Sequence, residues 1–248
     1  MLPGAYIFLD LDDTVFQTKS GLPNTDGLSV AAVDEDGDPL SFTTSRQDAF
    51  LELLSASATL VPVTGRSVTA FRRVVLEFDF GAVLNYGGLV LNPGGQADPD
   101  WLSYARVKAL EAKPLLDAAG AFLQRKRASG LSGIEFKIVG DLGLDFYLLA
   151  RGKGGDSKNL PETAAILQSE FGSDARVYLY DGNVSLLPKY LDKRAAVEYF
   201  INAFILTPDI SRSDLLLLGA GDSEADRGFM SLCDYQIIPS GCRLSKIL

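Results

Sequence analysis

Two clusters of acidic residues each follow a short apolar run. The run AYIFLDL leads into Asp10 and Asp12, and the run DLLLLG leads into Asp222 and Asp226. An apolar run of this length that ends in polar residues is typical of a buried parallel strand with a functional carboxyl end. If these strands are neighbours, at least four carboxylates converge at one edge of a sheet. So many like charges need a cation, and hard oxygen ligands of this kind suit Mg²⁺.

A third apolar run, TLVPV, ends in Thr64, Gly65 and Arg66. Ligands bind at the carboxyl ends of strands in an open parallel sheet, so we expect this turn to join the acidic residues. A Thr hydroxyl and backbone N–H groups are donors that suit a phosphoryl group. The plainer interpretation is that Thr-Gly simply ends the strand. Arg66 is a candidate for contact with a substrate anion.

Lys193 is the first residue of a predicted helix that Asp192 caps. Its ammonium and the N-terminal dipole of the helix would both favour an anion at that point. Lys189 and Arg194 compete with it for this role, and an exposed Lys at a helix start is often only solvated. We keep Lys189 as a further possible substrate contact. A divalent cation, a Lys, a Thr hydroxyl and backbone N–H groups together describe a site for a phosphoryl group.

The composition narrows the chemistry further. The 248 residues include no histidine, which excludes Ser-His-Asp hydrolysis and HExxH zinc chemistry and leaves acid–base work to carboxylates, Lys, Tyr or Cys. The formal net charge of −9 argues against a nucleic-acid partner. Cys233 and Cys242 are expected to be free thiols in a reducing compartment. Without a signal peptide or a membrane-spanning stretch in the sequence, we expect a soluble, cytoplasmic protein with no membrane partner.

The order of the elements predicts an α/β fold with a parallel sheet. The predicted strands of this sheet lie at 5–11, 59–63, 81–91 and 214–219. The sequence from 88 to 187 has a different pattern, which predicts helices and two pairs of strands. Pro114 marks a kink or a join between two helices. We therefore expect a catalytic core at 1–87 and 188–248, with an inserted α+β domain at 88–187.

Three local features accompany these elements. A β-hairpin with an Asp-Gly turn is predicted at 28–44. A start resembling a capping box is predicted for a helix at Asn159. A second hairpin is predicted over 176–187, with its connection at Asp181, Gly182 and Asn183.

The acidic and basic clusters resemble, in the same order, the four motifs of the haloacid dehalogenase superfamily of phosphotransferases. FLDLDDT resembles the first motif, and Thr64 in VPVTGRS resembles the second. Lys193 in DKRAA is similar to the third motif, and GDSEAD is similar to the fourth. The interval between Thr64 and Lys193 has room for the whole inserted domain. This arrangement resembles subfamily IIB, with a Rossmann-like core and an α+β cap, as in sucrose-phosphate, trehalose-phosphate, mannosyl-phosphoglycerate and Cof-like phosphatases.

The resemblance implies a role for each matched residue. Asp10 would be the nucleophile that forms an aspartyl-phosphate, and Asp12 would be the general acid and base. Asp10, the backbone carbonyl of Asp12 and Asp222 would hold Mg²⁺, supported by Asp226. An acid at the position of Asp12 favours phosphatases and mutases within the superfamily.

Thr64, Gly65 and Lys193 would bind the transferring phosphoryl group. The implied activity is Mg²⁺-dependent hydrolysis of a small phosphomonoester, above all a sugar phosphate. Closure of the cap would exclude bulk water. The implied partner is a small phosphorylated metabolite, and the protein would be a monomer or a homodimer.

Other functions use the same residue types. A phosphomutase of the phosphomannomutase type shares the core motifs and the cap class. A phospho-acceptor signalling module of the receiver type also combines paired acids, a Thr and a Lys, although a receiver is about half this length. A catalytically silent phosphosugar-binding protein is the third alternative.

Overall fold

The computed structural model describes residues 4–180 and 182–247. The strands are β1 (Ala5–Leu9), β2 (Gln17–Thr18), β3 (Ser29–Val33), β4 (Pro39–Thr43), β5 (Thr59–Pro62), β6 (Ala82–Leu84), β7 (Leu89–Leu91), β8 (Ile134–Asp141), β9 (Leu144–Gly152), β10 (Ala175–Tyr180), β11 (Asn183–Pro188), β12 (Leu216–Ala220) and β13 (Tyr235–Ile237). The helices are α1 (Ser45–Ser57), α2 (Val68–Phe71), α3 (Pro99–Ala128), α4 (Leu160–Phe171), α5 (Lys193–Phe200) and α6 (Glu224–Met230). No helix in these two ranges is both long enough and apolar enough to cross a bilayer.

The chain divides into two compact units. The first comprises Met1–Leu102 and Asp192–Leu248, and the second comprises Ser103–Leu191. Both divisions fall later than the predicted boundaries after residues 87 and 187. The first is later because the chain just before it packs within the first unit, where the Trp101 indole donates a hydrogen bond to the carbonyl of Gly87 (3.1 Å).

A parallel sheet in the order β13-β12-β1-β5 forms the centre of the first unit. Both faces of β1 are covered, because Phe8 packs with Val61 and Phe200 on one side while Ile7 and Leu9 pack on the other. Each such buried side chain contributes about 1.5–3 kcal/mol relative to exposure. Burial on both faces explains why the strand reads as an unbroken apolar run. The prediction of a parallel sheet is confirmed, and β1, β5 and β12 end at the same edge.

The hairpin predicted at 28–44 is present as part of a small antiparallel sheet in the order β2-β4-β3. Its outer strand β3 is joined to the segment after α2 by two backbone hydrogen bonds. Val33 donates to the carbonyl of Arg73 (3.0 Å), and Val75 donates to the carbonyl of Ala31 (2.9 Å). The hairpin is therefore held along both of its strands.

The single strand predicted at 81–91 is instead a two-stranded antiparallel ribbon, β6 and β7. The chain reverses between them because Asn85, Tyr86 and Gly87 all have positive φ, at 51°, 56° and 93°. Residues other than glycine seldom adopt this conformation, and it costs backbone energy that the surrounding structure must offset. The apolar composition alone does not reveal such a turn.

In the second unit an antiparallel sheet in the order β10-β11-β9-β8 packs against two helices. Leu148 and Leu186 of the sheet contact a cluster that includes Leu123 of α3 and Leu167 of α4. The predicted alternation of helices and strand pairs is confirmed. Asp181, predicted in the connection of the second hairpin, lies outside the described residues.

Helix α3 continues through Pro114, so the predicted kink or join does not interrupt it. Proline removes the N–H that would bond the carbonyl of Leu110, four residues earlier. Leu110 is exposed, so water can reach that turn of the helix. The prediction for α4 was also partly wrong, because the Asn159 side chain makes no capping bond and donates instead to the carbonyl of Ser132 (2.8 Å).

Candidate active site

Three predicted site residues follow the adjacent ends of parallel strands in the first unit. Asp10 follows β1, Thr64 lies two residues beyond β5, and Asp222 lies two residues beyond β12. The backbone N–H of Asp10 donates to the carbonyl of Ala220 (2.9 Å), which extends the pairing of β1 with β12 to the site itself. All three side chains are buried. The sheet therefore brings together residues that are far apart in the sequence.

Lys193 occupies the centre of the site. Its ammonium lies 2.6 Å from Oδ1 of Asp10 and 2.6 Å from Oδ1 of Asp226, and only 5% of the residue is exposed. Asp192 caps α5 by accepting a hydrogen bond from the backbone of Arg194 (2.9 Å), as the sequence predicts. The cap starts the helix at Lys193 and directs its side chain to the ends of β1 and β12.

The two competitors of Lys193 are engaged elsewhere. The Arg194 guanidinium donates to the hydroxyl of Ser231 (2.6 Å). Lys189 belongs to the second unit, where its ammonium donates to the backbone carbonyl of Ser173. Contact of Lys189 with a substrate remains a prediction.

The second carboxylate oxygens of Asp226 and Asp10 are held by local hydrogen bonds. Oδ2 of Asp226 accepts from the backbone N–H (3.0 Å) and the hydroxyl (2.6 Å) of Ser223 in a capping box at the start of α6. Oδ2 of Asp10 accepts from the hydroxyl of Thr14 (3.3 Å). These bonds fix the orientation of both carboxylates. Thr14 and Ser223 had no predicted role, although both belong to the quoted motifs.

Burial governs the electrostatics of the cluster. It raises the pKa of Asp10 well above the ordinary value, and the like charges of Asp226 and Asp222 raise it further, while Lys193 lowers it. It likewise raises the pKa of Asp222 to about 7, again with help from Asp226. Burial disfavours the ammonium of Lys193, but attraction to Asp10 and Asp226 outweighs it and raises the Lys193 pKa. The site thus holds more negative charge than Lys193 neutralises.

The donor set fits a divalent cation. One oxygen from each of Asp10, Asp222 and Asp226 lies within 4.8 Å of the others. If all three carboxylates are ionised beside one ammonium, two net negative charges remain, which a single divalent ion would neutralise. Carboxylate oxygens are the ligands that Mg²⁺ prefers.

The Asp12 side chain is not a member of this cluster. Its two oxygens accept hydrogen bonds from Arg66, at 2.8 Å from Nε and 2.7 Å from Nη2. This is the bidentate arrangement in which a guanidinium matches a carboxylate in shape as well as charge. In this structure Arg66 holds Asp12, and its contact with a substrate anion remains a prediction.

The turn after β5 is packed closely. The hydroxyl oxygen of Thr64 accepts from the backbone N–H of Arg66 (3.1 Å), which leaves the hydroxyl proton able to donate to an anion. A Cβ atom at Gly65 would collide with the ring of Tyr86. The same ring lies 5.8 Å from the ammonium of Lys193. A larger residue at position 65 would therefore have to displace the Tyr86 ring.

No protein-family model and no curated protein matches the sequence. Solved structures do match. The C-terminal domain of a trehalose-6-phosphate phosphatase from C. albicans superposes with a TM-score of 0.60 at 14% identity, over 92% of this chain and 73% of that one. A sucrose-phosphatase from Synechocystis gives 0.54 at 16% identity, over 99% and 96%. A haloacid dehalogenase-like hydrolase from Bacteroides thetaiotaomicron gives 0.51 at 13% identity, over 95% and 94%.

The chain has the haloacid dehalogenase-like fold. This confirms the predicted α/β class with a parallel-sheet core. Within this fold, the four motifs proposed from the sequence meet at the ends of β1, β5 and β12 and at the start of α5. Besides the hydrogen bonds of Thr14 and Ser223, the Asp12–Arg66 pair was not predicted. It joins residues 54 positions apart.

Proposed function

We propose that the protein is a phosphatase that hydrolyses a small phosphomonoester, above all a sugar phosphate, through an aspartyl-phosphate on Asp10. The observation that carries this proposal is the buried cluster of Asp10, Asp226 and Lys193 beside Asp222. Support for the substrate class comes from the fold, which is shared with a trehalose-6-phosphate phosphatase and with a sucrose-phosphatase solved with sucrose and phosphate.

In the first step an oxygen of Asp10 attacks phosphorus, and the bond between phosphorus and the sugar oxygen breaks. The leaving oxygen keeps the electron pair and takes a proton from Asp12. In the second step water attacks the same phosphorus and gives a proton to Asp12, and the bond from phosphorus to Asp10 breaks. A carboxylate nucleophile thus divides one difficult displacement into two easier ones.

Lys193, the hydroxyl of Thr64 and the backbone N–H of Gly65 would hold the transferring group. Their charge and donors match the oxygens of a phosphoryl group. The carboxylates of Asp10, Asp222 and Asp226 and the backbone carbonyl of Asp12 would hold Mg²⁺. When bound, the ion would supply positive charge that offsets the negative charge of the phosphoryl group and of the carboxylates.

The direct test is phosphate release from a panel of sugar phosphates with Mg²⁺, comparing the wild type with Asp10→Asn. The neutral amide cannot form the aspartyl-phosphate, so we expect turnover to fall by about 10⁴-fold or more. Asp36→Asn is the matched control, because it makes the same charge change in the exposed turn of the hairpin and should retain full activity. Turnover that survives in Asp10→Asn would contradict the assignment of the nucleophile. Conversion of one sugar phosphate to its isomer without phosphate release would favour the mutase.

A further inference from the structure

The Arg66 side chain is itself held in place by contacts to α2, to β4 and to the Phe16 ring. Its Nη1 donates to the carbonyl of Ala70 in α2 (3.4 Å), and its Nη2 lies 3.5 Å from the hydroxyl of Ser41 in β4. Its guanidinium carbon lies 5.0 Å above the centre of the Phe16 ring. Only 11% of the side chain is exposed. Arg66 is therefore a rigid part of the site, fixed from the hairpin as well as from its own loop.

Asp12, in contrast, depends on Arg66 for its orientation. Its side chain is 42% exposed, and the hydrogen bonds of its carboxylate in the structure come from the Arg66 fork. A carboxylate on an exposed loop would otherwise sample several rotamers. Each Asp12 oxygen has two lone pairs, so one stays available on each after the fork has formed.

We propose that Arg66 is a positioning residue, which holds the Asp12 carboxylate where it can exchange a proton with the leaving oxygen and with water. This inference rests on the proposed function, because it assigns Arg66 to the proton transfers of that reaction. Arg66 acts through Asp12 and takes no part in bond making. The hairpin at 28–44 supports it through Ser41, which is fully buried.

The loss of Arg66 should depend on the leaving group. In the first step the bond from phosphorus to the aryl oxygen breaks while the bond to Asp10 forms, and the aryl oxygen then needs the proton of Asp12 only if it is a strong base. Phenyl phosphate has a basic leaving oxygen, whereas p-nitrophenyl phosphate has one that leaves without a proton. kcat/KM covers the steps up to this displacement, so the later hydrolysis does not enter the comparison.

The experiment measures kcat/KM of the wild type, Arg66→Met and Arg66→Lys with both aryl phosphates and Mg²⁺. For Arg66→Met we expect a loss of about 100-fold with phenyl phosphate and of less than about 10-fold with p-nitrophenyl phosphate. Arg66→Lys keeps the charge but not the fork, so it should show a smaller loss with the same preference. Arg72→Met is the matched control, since Arg72 is an exposed residue at the end of α2, and both rates should remain at the wild-type level.

The outcomes separate the inference from the proposed function. If the wild type releases phosphate neither from these esters nor from any sugar phosphate of the panel, the proposed function is wrong and the role of Arg66 is lost with it. If the wild type hydrolyses both and Arg66→Met lowers the two values equally, Arg66 is only structural and this inference alone is overturned. If Arg66→Met does not fold, Arg66→Lys decides between the same two results. A loss concentrated in phenyl phosphate supports the proposal.

Discussion

Asp10 and Asp12 are two residues apart, yet their surroundings are opposite. The Asp10 side chain is 9% exposed and shares the ammonium of Lys193 with Asp226, whereas the Asp12 side chain is 42% exposed and has a guanidinium of its own. In the Asp12–Arg66 pair one negative charge is balanced by one positive charge. Three ionised carboxylates beside the single ammonium of Lys193 would carry an excess of negative charge, which a cation would offset. The comparison assigns the proposed cation and phosphoryl site to the buried cluster and leaves Asp12 outside it, paired with Arg66.

The largest effect should follow from removing the buried ammonium. Lys193→Met leaves Asp10 and Asp226 without a counter-charge, so we expect the free energy of unfolding to fall by about 3–5 kcal/mol in EDTA. Arg66→Met breaks a pair whose carboxylate is 42% exposed and can be rehydrated, so it should cost less, about 1–2 kcal/mol. Urea unfolding of both variants measures the difference. Equal losses would show that burial does not distinguish the two groups.

A second prediction concerns the excess charge itself. Asp222→Asn removes a buried carboxylate that Asp226 repels, so in EDTA the free energy of unfolding should rise by about 2 kcal/mol. The same variant should lose most of the stabilisation that added Mg²⁺ gives the wild type. Thermal unfolding with Mg²⁺ and with EDTA gives both values, and Asp36→Asn controls for the change in net charge. An Asp222→Asn protein that still gains stability from Mg²⁺ would exclude this carboxylate as a ligand.

The smallest effect should come from a third ion pair, Arg212–Asp234, in which both side chains are partly exposed. It serves as a reference for the other two. The pKa of Asp234 is lowered below its ordinary value by two hydrogen bonds that its carboxylate accepts. The larger effect comes from the Arg212 side chain (2.7 Å) and the smaller from the backbone N–H of Leu217 (2.8 Å). A carboxyl group whose pKa is lower in the folded state stabilises the fold at pH values above its pKa in the unfolded chain. This stabilisation is lost as the pH falls through the pKa of the folded state. Asp234→Asn should therefore cost about 1 kcal/mol at pH 7. The difference from the wild type should shrink as unfolding is measured at progressively more acidic pH, and a constant difference would mean that the charge is irrelevant.

Much of the core follows from the sequence because burial on both faces forces a parallel strand to be apolar. For that reason β1, β5 and β12 are visible as runs, and Asp10 and Asp222 are visible as the polar residues that end them. The helix cap Asp192 can be recognised in the sequence, and it predicts Lys193 as the first residue of the helix. The local signals at these positions agree with the tertiary structure.

Other features depend on contacts that the sequence does not record. Helix α3 passes through Pro114 because solvent can reach the carbonyl that proline leaves without a partner. The ribbon of β6 and β7 requires left-handed backbone at Asn85 and Tyr86, and the tyrosine does not indicate it. The bond between Arg66 and Asp12 closes across 54 positions and is fixed from a hairpin, so no local pattern predicts it.

The most direct test of the account is to detect the aspartyl-phosphate itself. The wild-type protein would be mixed with p-nitrophenyl phosphate and Mg²⁺, quenched in acid during turnover, and its peptides analysed by mass spectrometry. The account predicts the added mass of one phosphoryl group on the peptide that contains Asp10, at Asp10, and none in Asp10→Asn. Turnover with no labelled peptide, or with the label on another residue, would contradict it.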